Sequence, residues 1–382
     1  MIIHFWQNIL SPHQSAYLRA LAEMGHEVHL IVEQPTLPER DAMGWDHPDF
    51  GHTRITVAPD EATIAAILDD GAVRGAYHVV SGPRGTRLAL PVLRQCRARR
   101  LPVGLLCEAG DHRGVPGILR RVLYARDALI WRRTVDFVLA MGQLGVDWYR
   151  QVGYRHDRIF PFAYSVETPP SCSSPPPGDG VVQLTYVGSL IPLKGLDLLL
   201  KALAPLAHLP WALDIIGDGP VRSALQRLAA RQGIAERLTL HGTLPMSGIA
   251  PQLARTDLLV LPSRYDGWGA VINEALLCGT PALCSTRCGA ADLLCAPCLG
   301  GTFQVGHVAS LRRALAARIT RGPLASGERE QIRQWARCLK GESLADYLLE
   351  ILRHVYTAGP LPMTPWQASP AAAILSGEEG RL

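Results

Sequence analysis

Asp266 and Glu274 stand eight residues apart in the run Pro262-Ser263-Arg264-Tyr265-Asp266-Gly267-Trp268-Gly269-Ala270-Val271-Ile272-Asn273-Glu274, which leads from an apolar strand pattern into a helical one. Eight helical residues span about 12 Å, so two carboxylates at this spacing could take hydroxyl groups at both ends of an elongated ligand. Between them, Gly267 and Gly269 let backbone approach that ligand. The helix start offers unbonded N–H groups and a partial positive charge, a setting for a diphosphate. Glu274 falls in an otherwise apolar stretch, where a carboxylate is costly unless something pairs with it or uses it.

Further segments share the strand–loop–helix context. Tyr186-Val187-Gly188-Ser189-Leu190-Ile191-Pro192-Leu193-Lys194-Gly195 carries one of three lysines in the chain, at a strand's carboxyl end where it can hold a phosphate. Gly217-Asp218-Gly219-Pro220 reads as a tight turn after another strand, with Asp218 as readily a turn residue as a contact. Glu108-Ala109-Gly110-Asp111-His112-Arg113-Gly114 follows the strand Val103–Cys107 and is dense in ionisable groups. A carboxylate there could accept a hydroxyl proton or stabilise a cationic transition state. Ser81-Gly82-Pro83-Arg84-Gly85 is a further loop of the same kind, with Arg84 placed to contact a phosphate or another ligand group. Ser11-Pro12-His13-Gln14 predicts an N-cap, a proline at the first helical position and a capping box closed by Gln14, which leaves His13 unexplained by the cap.

The elements that must position these groups alternate as α/β units. Strands are predicted at Ile2–Trp6, Val28–Val32, Tyr77–Val80, Val103–Cys107 and Phe137–Met141, and after an interruption at Val181–Val187, Leu213–Ile216, Leu238–His241, Leu258–Leu261 and Pro281–Cys284. The interruption, residues 169–180, is a Pro/Ser/Gly-rich linker. The expected division is therefore a Rossmann-like domain at 1–168, a second at 181–343, a helix at 344–359 and a flexible tail at 360–382.

With 382 residues, 48% hydrophobic and 19% charged, the chain can fill two cores, and no apolar run is long enough to cross a bilayer. The start has no secretory signal pattern, so a cytoplasmic protein is expected. Net charge of +4 is too mild to argue for nucleic acid. The charge is uneven, however: ten arginines lie between Arg94 and Arg133 against Glu108, Asp111 and Asp127. The stretch Ile118–Arg133 mixes arginines with an apolar stripe, as an ordinary surface helix does or as one lying on an anionic membrane would. Cys295-Ala296-Pro297-Cys298, with Cys284 and Cys288, lacks a matching second pair and reads as packing thiols; no metal site and no cofactor are expected.

The second half resembles glycosyltransferase family 4, the retaining GT-B enzymes, on the pattern Asp266-x7-Glu274, the Lys194-Gly195 segment, the Gly217–Pro220 turn and Cys278-Gly279-Thr280-Pro281. The likeness implies two doubly wound Rossmann-like domains facing a cleft, with the C-terminal helix crossing back to the first. It also implies metal-independent transfer from a nucleotide diphosphate sugar to a sugar or lipid-linked acceptor, as in surface polysaccharide assembly. It assigns Asp266 and the backbone of Gly267, Trp268, Gly269, Ala270 and Val271 to the sugar and diphosphate, and Glu274 to the ribose. Lys194, with Gly188, Ser189 and Gly217 around it, goes to the diphosphate, and His241 to Leu244 to the base. Glu108, Asp266 and Lys194 are the implied catalytic groups, and His13, Arg84, Asp111, His112 and Arg113 the acceptor side. Ser189 stands where the family usually has an arginine, which Arg264 or Arg113 would have to replace, and Glu108 stands nearest the family's usual histidine. Those departures leave a non-catalytic nucleotide-sugar-binding subunit, or a nucleotide-sugar epimerase, as alternatives.

Overall fold

The computed structural model describes residues 1–41, 44–45, 48–167 and 180–368. Most of the expected linker, 169–179, and the end of the tail, 369–382, lie outside the described residues. Two compact units are formed, one by residues 1–41, 48–167 and 339–365, the other chiefly by residues 180–338.

The first unit is built on a seven-stranded sheet of β1 (Ile2–Gln7), β2 (Glu27–Val32), β3 (Arg54–Val57), β4 (Tyr77–Val80), β5 (Val103–Cys107), β6 (Phe137–Met141) and β7 (Ile159–Phe162). Every pairing is parallel and the order is β3-β2-β1-β4-β5-β6-β7. The second unit holds β8 (Val182–Val187), β9 (Trp211–Ile216), β10 (Leu238–Gly242), β11 (Leu258–Leu261), β12 (Ala282–Ser285) and β13 (Gly300–Phe303), again parallel, in the order β10-β9-β8-β11-β12-β13. This is the α/β class that the alternation predicts. Central strands are near-continuous apolar runs because helices cover both faces of a parallel sheet. The order reverses between β1 and β4 and between β8 and β11, and ligands of such sheets gather beyond the strand ends at that reversal.

The sequence pattern omits β3, β7 and β13, all edge strands of four residues. An edge needs no continuous apolar run: β3 is largely exposed, β7 contains Pro161, and β13 opens with two glycines. Ser11 does cap helix Pro12–Glu23, its side chain accepting the His13 N–H at 3.3 Å. Gln14 does not close the box; its amide donates to Gln7 Oε1 at 3.3 Å, a partner on β1 that local spacing cannot reveal. Helix Gly341–Thr357 belongs to the first unit, where Tyr347 donates to the Pro161 carbonyl at 3.0 Å and Tyr356 to Asp136 at 2.8 Å.

Register places three imidazoles in a row across β2, β1 and β4: His4 is paired with His29 on one side and His78 on the other. All three are buried, with ring centroids 5.4 and 5.0 Å apart. Trp6 Nε1 donates to His78 Nδ1 at 3.3 Å and His29 meets Thr56 at 2.8 Å, while His4 Nδ1 and His78 Nε2 have no hydrogen-bond partner among the described residues. Helix Glu61–Arg74 lies so close above that a Cβ at Gly71 would sit 3.2 Å from His4 and 3.3 Å from His78. Burial holds His4 and His29 down to about 4 and His78 to about 3; Arg54 and Arg74 press His4 the same way, Arg54 also His29, and only Asp70 and Glu27 oppose it at His4.

Unfolded imidazoles protonate near 6.5, so the unfolded chain binds more protons as pH falls, and the stability present above 6.5 is lost on the way down to about 4. Each group can contribute up to about 1.4 kcal/mol per pH unit in that window. Thermal unfolding between pH 7.5 and 5 should show a steep decline in Tm that is shallower in His4→Leu; parallel declines in the two proteins would contradict this.

Candidate functional site

In the second unit the two loops flanking the sheet's reversal meet. After β8 the chain turns through Gly188 and Ser189 into a short turn, Pro192–Lys194, before helix Leu196–Leu203. After β11 it runs from Pro262 into helix Val271–Leu277. Gly195, at φ 71°, has no side chain to keep out the Pro262 carbonyl, and any Cβ there would collide with that oxygen. Arg264 N–H donates to the Leu193 carbonyl at 2.8 Å, and its guanidinium holds Asp197 through two contacts of 2.8 Å and Pro192 O at 2.6 Å. The loops are thereby fastened together, and Lys194 Nζ comes to 2.6 Å from Asp266 Oδ2. Ser263 donates to the same oxygen at 3.3 Å, and Asp266 N–H is anchored on Arg287 O at 2.9 Å.

Beyond Asp266, the N–H groups of Gly269, Ala270 and Val271 donate to no acceptor among the described residues. Trp268 is buried, its indole donating to Asn273 at 2.9 Å, and the Cys288 thiol donates to the Trp268 carbonyl at 2.9 Å, so the loop carrying those N–H groups is held from behind. Glu274 lies one turn into the helix among buried Ile272, Asn273, Ala275 and Leu276. Its carboxylate takes part in no hydrogen bond or ion pair among the described residues, and burial raises it from 4.5 to about 7. No structural partner accounts for it. Three unbonded N–H groups and an unsatisfied carboxyl along one loop–helix segment, with the Lys194 ammonium brought to Asp266 from the neighbouring loop, can bind an anion with hydroxyls beside it.

Around this centre, Gly188 N–H donates to Ile216 O at 2.9 Å and Gly217 N–H to Gly242 O at 2.7 Å, joining the loops after β8, β9 and β10. His241 is tied to Asp214 at 2.7 Å, which also accepts from Gln183 at 2.7 Å, so its ring is committed to the sheet; Leu244 is half-buried two residues beyond the end of β10. Arg264 is committed to Asp197 as described. The thiols Cys284 and Cys288 are buried neighbours, and no group of three or more His, Cys, Asp or Glu side chains suited to a metal occurs among the described residues.

In the first unit, Glu108 follows β5 directly and accepts the Tyr164 hydroxyl at 3.0 Å; the Tyr164 ring lies 5.8 Å from that of His13. His13 O in turn accepts Ser165 N–H at 3.1 Å, and burial, with Arg40 nearby, holds the His13 ring down to about 4. The structure thus brings Glu108 and His13 together through Tyr164, a residue that sequence reasoning missed. It follows β7, the unpredicted edge strand, and the strand-end rule would have flagged it had that strand been seen. Asp111 is occupied by Arg113 at 2.7 and 2.9 Å, which holds its carboxyl below the ordinary range, and Arg120 donates to Asp111 O. His112 stacks on Trp148 at 6.4 Å. Arg84 is clamped by Asp127, with Nε at 2.6 Å and an Nη at 3.2 Å, and so joins a different group of side chains.

Residues 175–335 match the family model of the group 1 glycosyl transferases, somewhat under half of the chain. A GDP-mannose-dependent alpha-(1-6)-phosphatidylinositol monomannoside mannosyltransferase of Mycolicibacterium smegmatis is 34% identical over 112 residues, 27% of this chain and 29% of that protein. The chain thus matches less than a third of that relative's length. Over the whole fold, the lipopolysaccharide outer core galactosyltransferase WaaB superposes with a TM-score of 0.67 at 15% identity, covering 94% of this chain and 99% of that one. HepE of Anabaena, in complex with UDP and glucose, gives 0.65 at 17%, covering 92% and 98%. The fold is GT-B, and within it the second unit is the part that is similar to the group 1 glycosyl transferases.

Proposed function

We propose that this chain is a retaining glycosyltransferase that moves a sugar from a nucleotide diphosphate sugar to a sugar or lipid-linked acceptor in cell-surface polysaccharide or glycoconjugate assembly. The observation that carries the reading is the meeting of two loops just described, where Lys194 on the loop after β8 reaches Asp266 at the start of the segment that carries the N–H groups of Gly269 to Val271 and Glu274, whose carboxylate has no partner among the described residues. The diphosphate would sit against Lys194 and those N–H groups, the ribose hydroxyls on Glu274 and the sugar on Asp266. Stabilising the departing diphosphate is the main catalytic task, and fixed donors do it without reorganising. On the first unit, Glu108 would receive the acceptor's hydroxyl or face the cationic transition state, oriented by Tyr164. Retention follows from the family likeness. The exposed apolar and basic helix Gly114–Trp131 supports peripheral contact with an anionic membrane surface, which for a cytoplasmic enzyme would be the inner face. No helix of the described residues is long and apolar enough to cross a membrane.

A second reading, a nucleotide-sugar-binding subunit without turnover, is favoured by Ser189 together with the commitment of Arg264 to Asp197 and of Arg113 to Asp111. A panel of UDP-, GDP-, ADP- and TDP-sugars, followed by thermal shift and by release of nucleoside diphosphate, separates the two. The expected result is a clear rise in Tm with one donor and slow release without acceptor. A shift without release, even with acceptor extracts, would favour the binding subunit, and no shift with any donor would remove the site assignment.

A further inference from the structure

Arg84 belongs to a cavity of about 290 Å³ in the first unit, whose wall also carries Arg94, Arg97, Arg126, Asp127 and Trp131. Four guanidinium groups face one carboxylate. Asp127 is buried and spends itself on orienting Arg84 through two hydrogen bonds, with Arg126 at 3.8 Å. The Arg97 guanidinium carbon lies over the Trp131 ring, 5.0 Å from its centroid, and the Arg94 guanidinium makes no hydrogen bond or ion pair among the described residues. Three of the four guanidinium groups are therefore held by aromatic or carboxylate contacts, and with one carboxylate against four cations the wall keeps an excess of three positive charges. Like charges converging on a concave surface repel unless an anion sits among them, and phosphate oxygens match guanidinium geometry.

The source of that anion is indicated by the helix that supplies Arg126 and Trp131. On Gly114–Trp131, Val115, Ile118, Leu119, Val122 and Leu129 recur three, four or seven residues apart and are each 60% or more exposed. Arg126 falls on that same face, and Ile130, also exposed, lines the cavity, so the apolar stripe runs into the arginine pocket. An apolar stripe ending in a pocket of positive charge is complementary to a bilayer surface that presents acyl chains beneath phosphates.

We infer that this cavity binds the phosphate of an anionic membrane lipid while the apolar face of helix Gly114–Trp131 enters the bilayer beside it. The inference rests on the membrane contact proposed above, and its test keeps the two apart. Full-length protein would be co-sedimented with phosphatidylcholine vesicles with and without phosphatidylglycerol, and tested in solution for thermal shift by glycerol 3-phosphate. The wild type should bind the anionic vesicles at least about tenfold more tightly than neutral ones. Arg94→Gln with Arg97→Gln should lose about tenfold, whereas Arg132→Gln with Arg133→Gln, removing equal charge outside the cavity, should lose much less. Leu119→Ser with Val122→Ser should lose vesicles and keep the glycerol 3-phosphate response. Equal losses for the two arginine pairs would mean diffuse attraction and overturn the pocket. A glycerol 3-phosphate response without vesicle binding would assign the cavity to a soluble phosphate and overturn the lipid. Absence of both overturns the inference entirely. All variants should retain the wild type's nucleotide-sugar thermal shift; if the wild type itself shows none, the donor reading fails while the vesicle result stands independently.

Discussion

Glu274→Gln should be more stable than the wild type at pH 8 and a much poorer binder of nucleotide sugar. The carboxyl is raised by burial from 4.5 to about 7, above its unfolded value, so between those limits the folded chain keeps a proton that the unfolded chain releases. Its favourable contribution is complete below 4.5 and is lost as pH rises to about 7, after which the cost is constant. At 1.36 kcal/mol per unit the ceiling is about 3 kcal/mol, and since water reaches the half-buried side chain the effect should be nearer 1 to 2. Glutamine keeps the shape without the charge, so its Tm advantage at pH 8 should shrink to nothing by pH 4.5. Binding runs the other way. Ribose hydroxyls donating to an ionised carboxylate are worth about 1.5 to 3 kcal/mol, or roughly 10- to 150-fold in affinity. Wild-type affinity should then fall up to about tenfold per pH unit below 7, and the variant should bind weakly with no such slope. A variant less stable than wild type at pH 8, or a wild-type affinity flat from pH 5.5 to 8, would show that the carboxyl is not held in reserve for a ligand.

Lys194→Ala should lower the rate of nucleoside diphosphate release at saturating donor by about 10²- to 10³-fold, the range for removing one fixed donor from a developing anion. The 2.6 Å contact with Asp266 shows that the ammonium is already in place before any donor arrives. Its binding defect should be smaller than its rate defect, because charge on the leaving diphosphate grows as the bond to the sugar breaks. Single-turnover release and equilibrium titration on the same protein give the two numbers, with circular dichroism to verify folding. If the pair with Asp266 served only structure, Lys194→Ala would lose stability and turn over within about threefold of wild type. Lys194→Arg discriminates further: a guanidinium can keep the ion pair with Asp266, yet it delivers a planar fork in place of a compact charge, so stability should recover while the rate stays low.

Much of this was readable from the residue order. Central strands of parallel sheets announce themselves as apolar runs, and the loop after each strand is where such sheets place ligands, so Lys194, Asp266 and Glu108 could be selected by position alone. Edge strands β3, β7 and β13 could not, since an edge tolerates polar residues, proline and glycine; with β7 went Tyr164, now the link between Glu108 and His13. Arg84 shows the opposite failure. Its place in the loop after β4 was legible, but its partner Asp127 lies 43 residues on, and the cavity they share with Arg94 and Arg97 has no local signature.

The sequence by itself determined the α/β class, the interruption between two sets of strands, the strand–loop–helix setting of the Asp266 to Glu274 segment and the uneven basic charge, because each is written in spacings of a few residues. Only the tertiary structure decided which of those groups meet. The Lys194–Asp266 contact joins residues 72 apart, the His4, His29 and His78 row depends on strand register, and the exposure of Val115, Ile118, Leu119, Val122 and Leu129 depends on which of the described residues pack on that helix. Contacts of that kind are set by strand order and by close approaches such as that of Gly195 to Pro262, and these exist only once the chain has closed upon itself.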